Sequence, residues 1–107
     1  MTSTVDGFVT VARVGEIADG AVKVVRIEDQ PIALFRLGDA FYAMDDMCSH
    51  DGGPLAEGRI DGTTIECPRH GARFDIRTGA VLCLPASSPV ATYAVRVAGD
   101  EVQVGWS

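Results

Sequence analysis

In CPRHGARFD, Cys67–Asp75, two residues separate a cysteine from a histidine at the start of a glycine-containing loop. An earlier stretch, CSHDGG, Cys48–Gly53, repeats the combination with one residue between Cys48 and His50. Sixteen residues lie between His50 and Cys67. The sequence therefore offers two matched cysteine–histidine pairs on two separate loops, which predicts a site with four ligands.

The two pairs use both histidines of the chain, His50 and His70, and two of its three cysteines. An odd number of cysteines does not suggest a disulfide framework. Cys83 has no nearby histidine, and we interpret it as a packing residue. A single cysteine or histidine is usually structural, but two pairs at matched spacings are hard to assign to packing. We therefore predict Cys48, His50, Cys67 and His70 as the ligands.

Outside the pairs the chain consists mainly of short runs of β-branched and aliphatic residues, bounded by Gly, Pro and Asp. Val14–Asp19 is long enough for a single helical turn only. The runs predict an all-β fold, a small antiparallel sandwich or barrel. The predicted strands are Phe8–Arg13, Ala21–Ile27, Pro31–Leu37, Ala40–Asp45, Thr92–Ala98 and Glu101–Trp106.

The region that carries the pairs has a different composition. From about Met47 to Pro89 the strands shorten, and Gly, Pro, Cys and His accumulate. We interpret residues 47–89 as a ligand-bearing lobe inserted between the early strands and the last hairpin, within one domain spanning residues 1–107. Asp46 and Asp51, beside the first pair, are interpreted as solvated loop charges, and the alternative role is to help dock a basic patch of a partner.

Charge and composition exclude several classes of function. Nine basic against fifteen acidic side chains give a net charge of −6, which argues against a nucleic-acid partner. No apolar run approaches the length of a membrane span, and the start, MTSTVDGF, has no signal-peptide features. We therefore expect a cytoplasmic protein. No nucleophile–base arrangement is evident, so we predict no catalytic residues and no enzyme activity for the chain alone.

Two kinds of metal centre are compatible with two cysteines and two histidines. Zinc accepts this set in a closed tetrahedral site, although zinc modules usually supply the cysteines as one pair and the histidines as another. One cysteine and one histidine from each loop suit a [2Fe–2S] cluster, in which one iron takes both thiolates and the other takes both imidazoles.

The motifs CSH and CPRHG, at this separation, resemble the Rieske iron–sulfur signature, and the resemblance extends over most of the chain. It implies a β-sandwich or barrel base with an inserted cluster-binding lobe and one [2Fe–2S] cluster per chain. Cys48 and Cys67 would hold a deeper iron, and His50 and His70 would hold an iron near the surface. Pro85 is the best candidate for the proline segment that covers the cluster in this family.

Differences from the respiratory members of the family narrow the class of Rieske protein that this chain resembles. Respiratory Rieske proteins carry an additional cysteine in each loop, where this chain has Gly53 and Arg69. They also use a serine and a tyrosine as hydrogen-bond donors, where this chain has Ala72 and Phe74. Donors favour the more negative reduced state, so their loss predicts a potential low in the Rieske range of roughly −150 to +300 mV.

The remaining pattern resembles the free-standing Rieske ferredoxins. This implies a one-electron carrier between a flavin-dependent ferredoxin reductase and a terminal oxygenase, often a ring-hydroxylating dioxygenase. The alternatives are a small Rieske-like subunit of a nitrite-reductase-type enzyme, a zinc-binding structural module, and an electron donor to some other acceptor.

Overall fold

The computed structural model describes residues 4–5, 7–47, 53–68, 71–83 and 88–106. These residues form three antiparallel four-stranded sheets and two short 3₁₀ turns, which confirms the predicted all-β fold. The strands are β1 (Thr4–Val5), β2 (Phe8–Arg13), β3 (Val22–Ile27), β4 (Gln30–Leu37), β5 (Ala40–Asp45), β6 (Arg59–Asp61), β7 (Thr64–Glu66), β8 (Arg73–Asp75), β9 (Val81–Cys83), β10 (Thr92–Tyr93), β11 (Val95–Ala98) and β12 (Glu101–Gly105). The 3₁₀ turns are Val14–Glu16, inside the predicted helical turn, and Leu55–Glu57.

In the middle sheet, in the order β10-β5-β4-β3, the strands β3, β4 and β5 form two consecutive hairpins, and β10 is added beside β5. Glu28 and Asp29 join β3 to β4, and both have positive φ values, 50° and 69°. A two-residue turn with both central residues in this region matches the twist of the flanking strands, so it fixes the hairpin register. The Arg26 guanidinium supports the turn by donating to the Asp29 carbonyl at 3.1 Å.

Strand β4 is the centre of the molecule because it is buried on both faces. Ile32 and Leu34 point to a core shared with the sheet β1-β2-β12-β11, whereas Ala33 and Phe35 point to a core shared with the sheet β6-β7-β8-β9. All four are completely shielded from solvent. The apolar stretch formed by residues 32–35 therefore holds all three layers together, since alternate side chains leave opposite faces of a strand.

The prediction of one strand over Thr92–Ala98 was wrong. β10 pairs with β5 of the middle sheet, and β11 pairs with β12 of the terminal sheet, so the chain changes sheets at Ala94. The Ala94 carbonyl instead accepts a hydrogen bond from the Gly105 N–H at 2.8 Å. No local sequence signal marks this point, because each half of the run is equally suited to a strand.

The third sheet lies within the predicted lobe, and Ile65 and Phe74 of its β7 and β8 are completely buried against the middle sheet. The lobe boundaries 47–89 and the domain extent 1–107 stay predictions, because residues 48–52, 69–70 and 84–87 lie outside the described residues. Within the described part of the chain, no helix is long or apolar enough to span a membrane.

A network of side-chain hydrogen bonds links β4, β5 and β10 of the middle sheet. The Tyr93 hydroxyl donates to Asp45 Oδ1 at 2.6 Å, and the Gln30 side-chain amide donates to the same oxygen. The Tyr93 ring packs on Trp106 with the ring centroids 5.3 Å apart. Burial, reinforced by the hydrogen bond to Asp45, raises the pKa of Tyr93 from 10.0 to about 12.

This shift predicts a specific alkaline transition. Because the folded-state pKa is raised, the protonated phenol stabilises the fold fully below about pH 10, and the contribution is lost as pH rises through about 12. Tyrosinate absorbance should show a step near pH 12 that is absent from Tyr93→Phe. The difference in unfolding free energy between the two proteins should be constant below pH 10 and shrink above it. A Tyr93 titration near pH 10 would contradict the assignment.

Candidate metal centre

Of the four predicted ligands, the structure describes one, Cys67. Cys48, His50 and His70 lie outside the described residues, and the described side chains alone contain no cluster of three or more potential metal ligands. The site is therefore defined by Cys67 and by the segments that enter and leave the two predicted ligand loops.

The second ligand loop begins where β7 ends. The Cys67 N–H donates to the Ala72 carbonyl at 2.7 Å, and the Gly71 N–H donates back to the Cys67 carbonyl at 3.2 Å. These bonds bring the two ends of the second ligand loop together. Gly71 has a φ of 77°, a conformation that strains residues with a side chain. Glycine at this position therefore lets the chain turn immediately after His70.

Cys67 is 1% exposed and belongs to the core between the middle sheet and the lobe sheet. Ile65 and Phe74, which face each other across β7 and β8, are in the same core. The sulfur-bearing side chain is thus on the inner side of the loop. The relative depth of the two ends of the centre stays a prediction, because both histidines lie outside the described residues.

The first ligand loop is anchored on both sides of residues 48–52. On the N-terminal side, the Asp46 N–H donates to the Pro31 carbonyl at 3.1 Å. On the C-terminal side, Gly53 is buried and Leu55 is completely shielded in the same core as Cys67. Both ends of the loop therefore start from fixed backbone.

The interpretation of Asp46 as a solvated loop charge was wrong. Asp46 is 8% exposed, and its Oδ1 accepts a hydrogen bond from the Ala56 N–H at 2.7 Å. The partner lies ten residues further along the chain and on the other side of the ligand loop. Sequence analysis missed this role because no helix or strand periodicity brings these two positions together. Asp51 lies outside the described residues.

The segment that contains Pro85 is also held at its end. Residues 84–87 lie outside the described residues, and the chain is described again from Ser88; the Val90 N–H donates to the Gly79 carbonyl at 2.9 Å. The next carbonyl, that of Ala91, accepts the Asp45 N–H at 3.0 Å. The returning segment is thus tied both to the lobe turn and to the strand that leads into the first ligand loop.

Two ion pairs lie in the lobe, one across β7 and β8 and one in the turn after β8. Arg73 lies 3.2 Å from the carboxylate of Glu66 across β7 and β8, and Arg77 lies 3.1 Å from Asp75. The hydrogen bond from Arg77 is the main cause that holds the pKa of Asp75 below 3.8. These guanidinium groups are exposed, so each pair stabilises the fold little.

The residues present fit a [2Fe–2S] cluster. Two thiolates and two imidazoles are the Rieske ligand set, and the one described member of the predicted set, Cys67, is 1% exposed. Ala72 and Phe74, which replace the hydroxyl donors of high-potential relatives, are both completely buried. Water cannot easily substitute for the missing hydroxyls at these two positions.

Comparisons with known proteins agree with this site. A curated protein from Escherichia coli (strain K12), the 3-phenylpropionate/cinnamic acid dioxygenase ferredoxin subunit, is 44% identical over 91 residues, 83% of this chain and 84% of the relative. The ferredoxin of carbazole 1,9a-dioxygenase from Nocardioides aromaticivorans IC177 superposes with a TM-score of 0.91 at 35% identity, covering 95% of this chain and 100% of that protein.

A second solved structure is a complex of reduced oxygenase and oxidized ferredoxin in carbazole 1,9a-dioxygenase. The matching chain superposes with a TM-score of 0.87 at 35% identity and covers 94% of each chain. Residues 7–94 match the family described as the Rieske [2Fe-2S] domain. The family resolves the choice between zinc and iron–sulfur in favour of one [2Fe–2S] cluster per chain, and it makes the protein an electron carrier. The chain therefore belongs to the Rieske [2Fe–2S] domain family.

Proposed function

We propose that this protein carries single electrons from a flavin-dependent ferredoxin reductase to a terminal oxygenase, of the ring-hydroxylating dioxygenase type, in the cytoplasm. The observation that carries the proposal is the likeness to oxygenase ferredoxins along almost the whole chain, including one superposition that covers 100% of the neighbour. The ferredoxin subunit name of the 44% identical relative and the oxygenase–ferredoxin complex support the same partner class.

In this proposal Cys48 and Cys67 hold one iron, and His50 and His70 hold the other. The support is the burial of Cys67 in the core of the lobe, which suits the inner end of an asymmetric centre. The two imidazole edges would then be the contact points for partners at the outer end. When bound, the cluster takes up and releases one electron without a change in its ligands.

Buried residues of the protein enclose the thiolate side of the centre and keep solvent away from it. Leu55, Ile65 and Phe74 are completely buried around Cys67, so they exclude water from the thiolate side. The backbone bonds from Cys67 to Gly71 and Ala72 hold the two ends of the second loop together. Fixed ligands reduce the rearrangement that accompanies each change of charge. The single domain 1–107, with its lobe at about 47–89, provides this frame.

The proposed reduction potential lies in the lower part of the Rieske range. Ala72 and Phe74 offer no side-chain donor, and both are completely buried beside the second loop. The reduced centre, which carries the additional negative charge, therefore lacks two stabilising hydrogen bonds that high-potential relatives have. A low potential suits a carrier that must reduce an oxygenase.

The role of position 72 predicts the effect of adding a donor. Ala72→Ser introduces a hydroxyl with almost no change in volume. If the hydroxyl stabilises the reduced state by about 1 kcal/mol, the midpoint potential rises by about 40 mV. The measurement is a redox titration of the purified holoprotein. Ala80→Ser adds the same hydroxyl at an exposed turn and should leave the potential unchanged. Equal potentials for the Ala72→Ser and wild-type proteins would contradict this role.

Reconstitution tests the proposed function. Reductase, this protein and a terminal aromatic-ring oxygenase are combined with substrate, and product is measured with this protein present or omitted. The expected result is product formation that depends on this protein. The matched control is the Cys67→Ser protein, which should not support turnover. Reduction by the flavin enzyme without electron delivery to any aromatic-ring oxygenase would contradict the oxygenase proposal.

A further inference from the structure

Asp46 is a carboxylate that the proposed electron transfer does not itself use. It is 8% exposed, although aspartate is rarely this buried unless a partner compensates for the lost solvent. The Ala56 N–H compensates for the lost hydration of the carboxylate by donating a hydrogen bond to Oδ1 at 2.7 Å. The two residues stand on opposite sides of the segment that contains Cys48 and His50.

The amide of Ala56 needs an acceptor because of the local sequence. The 3₁₀ turn Leu55–Glu57 follows Pro54, and the first N–H groups of such a turn have no partner within it. A serine or aspartate at the position of Pro54 would normally accept one of them, but the proline side chain cannot. Asp46 supplies the missing acceptor from the other end of the ligand loop.

We propose that Asp46 is a positioning residue for the cluster, acting on it in two ways. Its hydrogen bond to Ala56 ties the two ends of the first ligand loop together, which limits the freedom of Cys48 and His50. Its negative charge opposes the addition of an electron. The Cα atom of Asp46 is at most about 7 Å from that of Cys48 along the chain, so the charge acts at short range. The proposal rests on the ligand set proposed above.

Two substitutions separate these effects. Asp46→Asn keeps an acceptor oxygen but removes the charge, so we expect a more positive midpoint potential with iron release to a chelator close to the wild-type rate. Asp46→Ala removes both, so we expect a more positive potential and iron release about five- to tenfold faster, the loss associated with a missing cap. Asp39→Asn is the matched control, because it removes an exposed charge at the opposite end of β5 and should change neither quantity.

A second measurement on the oxidised holoprotein tests the hydrogen bond independently of the potential. Amide hydrogen exchange at Ala56 should be slow in the wild type and in Asp46→Asn, and faster in Asp46→Ala. This outcome does not depend on the ligand assignment, which Cys48→Ser tests separately through loss of the visible spectrum. If the amide exchange rate at Ala56 and the rate of iron release in Asp46→Ala both equal those of the wild type, the loop-closing role is overturned. A wild-type potential in Asp46→Asn would overturn the role of the charge.

Discussion

Cys67→Ser is expected to abolish cluster binding and to yield a colourless protein that retains its β-sheet signal. The Cys67 side chain is 1% exposed within the core of the lobe, so a neighbouring side chain or water cannot easily take its place. A serine hydroxyl is far less readily deprotonated than a thiol, and iron–sulfur clusters favour thiolate ligands. Iron content, acid-labile sulfide and the visible spectrum should all fall to background after anaerobic purification.

The matched control for this substitution is Cys83→Ser. Cys83 ends β9 opposite Arg73 and has no histidine nearby in the sequence, so it is a predicted non-ligand. Its replacement should leave the iron content and the visible spectrum unchanged. A Cys67→Ser protein that keeps the wild-type spectrum would show that this thiol does not ligate iron. Loss of the cluster in Cys83→Ser would show that the ligand set is incomplete.

Much of the base could be predicted from sequence because its signals are local. The alternation in Ala21–Ile27 and the run Pro31–Leu37 became β3 and β4 within one residue at each end. Glu28 and Asp29, which lie between the two predicted strands, form the turn that joins them. Such elements need only their own residues and the nearest paired strand.

The features that sequence reasoning missed depend on segments distant in the chain. The change of sheet at Ala94 requires that β5 and β12 already be in place as partners. The burial of Asp46 arises from a hydrogen bond across the ligand loop. The four candidate ligands stay a prediction, which the sequence allows because metal chemistry restricts residue type and spacing. The supporting residues carry no comparable signature.

Gly79→Ala is expected to produce a large loss of stability. Gly79 has a φ of 77°, and a Cβ atom there would lie 2.1 Å from the Val90 carbonyl oxygen and 2.9 Å from Thr92 Cγ2. The left-handed conformation costs alanine about 1–2 kcal/mol, and displacing a backbone carbonyl raises the total to about 4 kcal/mol or more. For a domain of this size we expect the melting temperature to fall by about 20 °C.

Gly99→Ala separates the cost of the left-handed backbone conformation from the cost of displacing the Val90 carbonyl. Gly99 has a φ of 64° in the turn between β11 and β12, but no atom of the described residues lies within 4 Å of the position that a Cβ atom would take, so alanine there meets only the conformational cost. Its melting temperature should fall by about 5–10 °C. The additional loss in Gly79→Ala measures the close approach between the lobe turn and Val90. Because Val90 ends the segment that contains Pro85, the bound cluster should also bleach earlier in that variant than in Gly99→Ala. Equal losses in the two proteins would contradict the close packing of Gly79 against Val90.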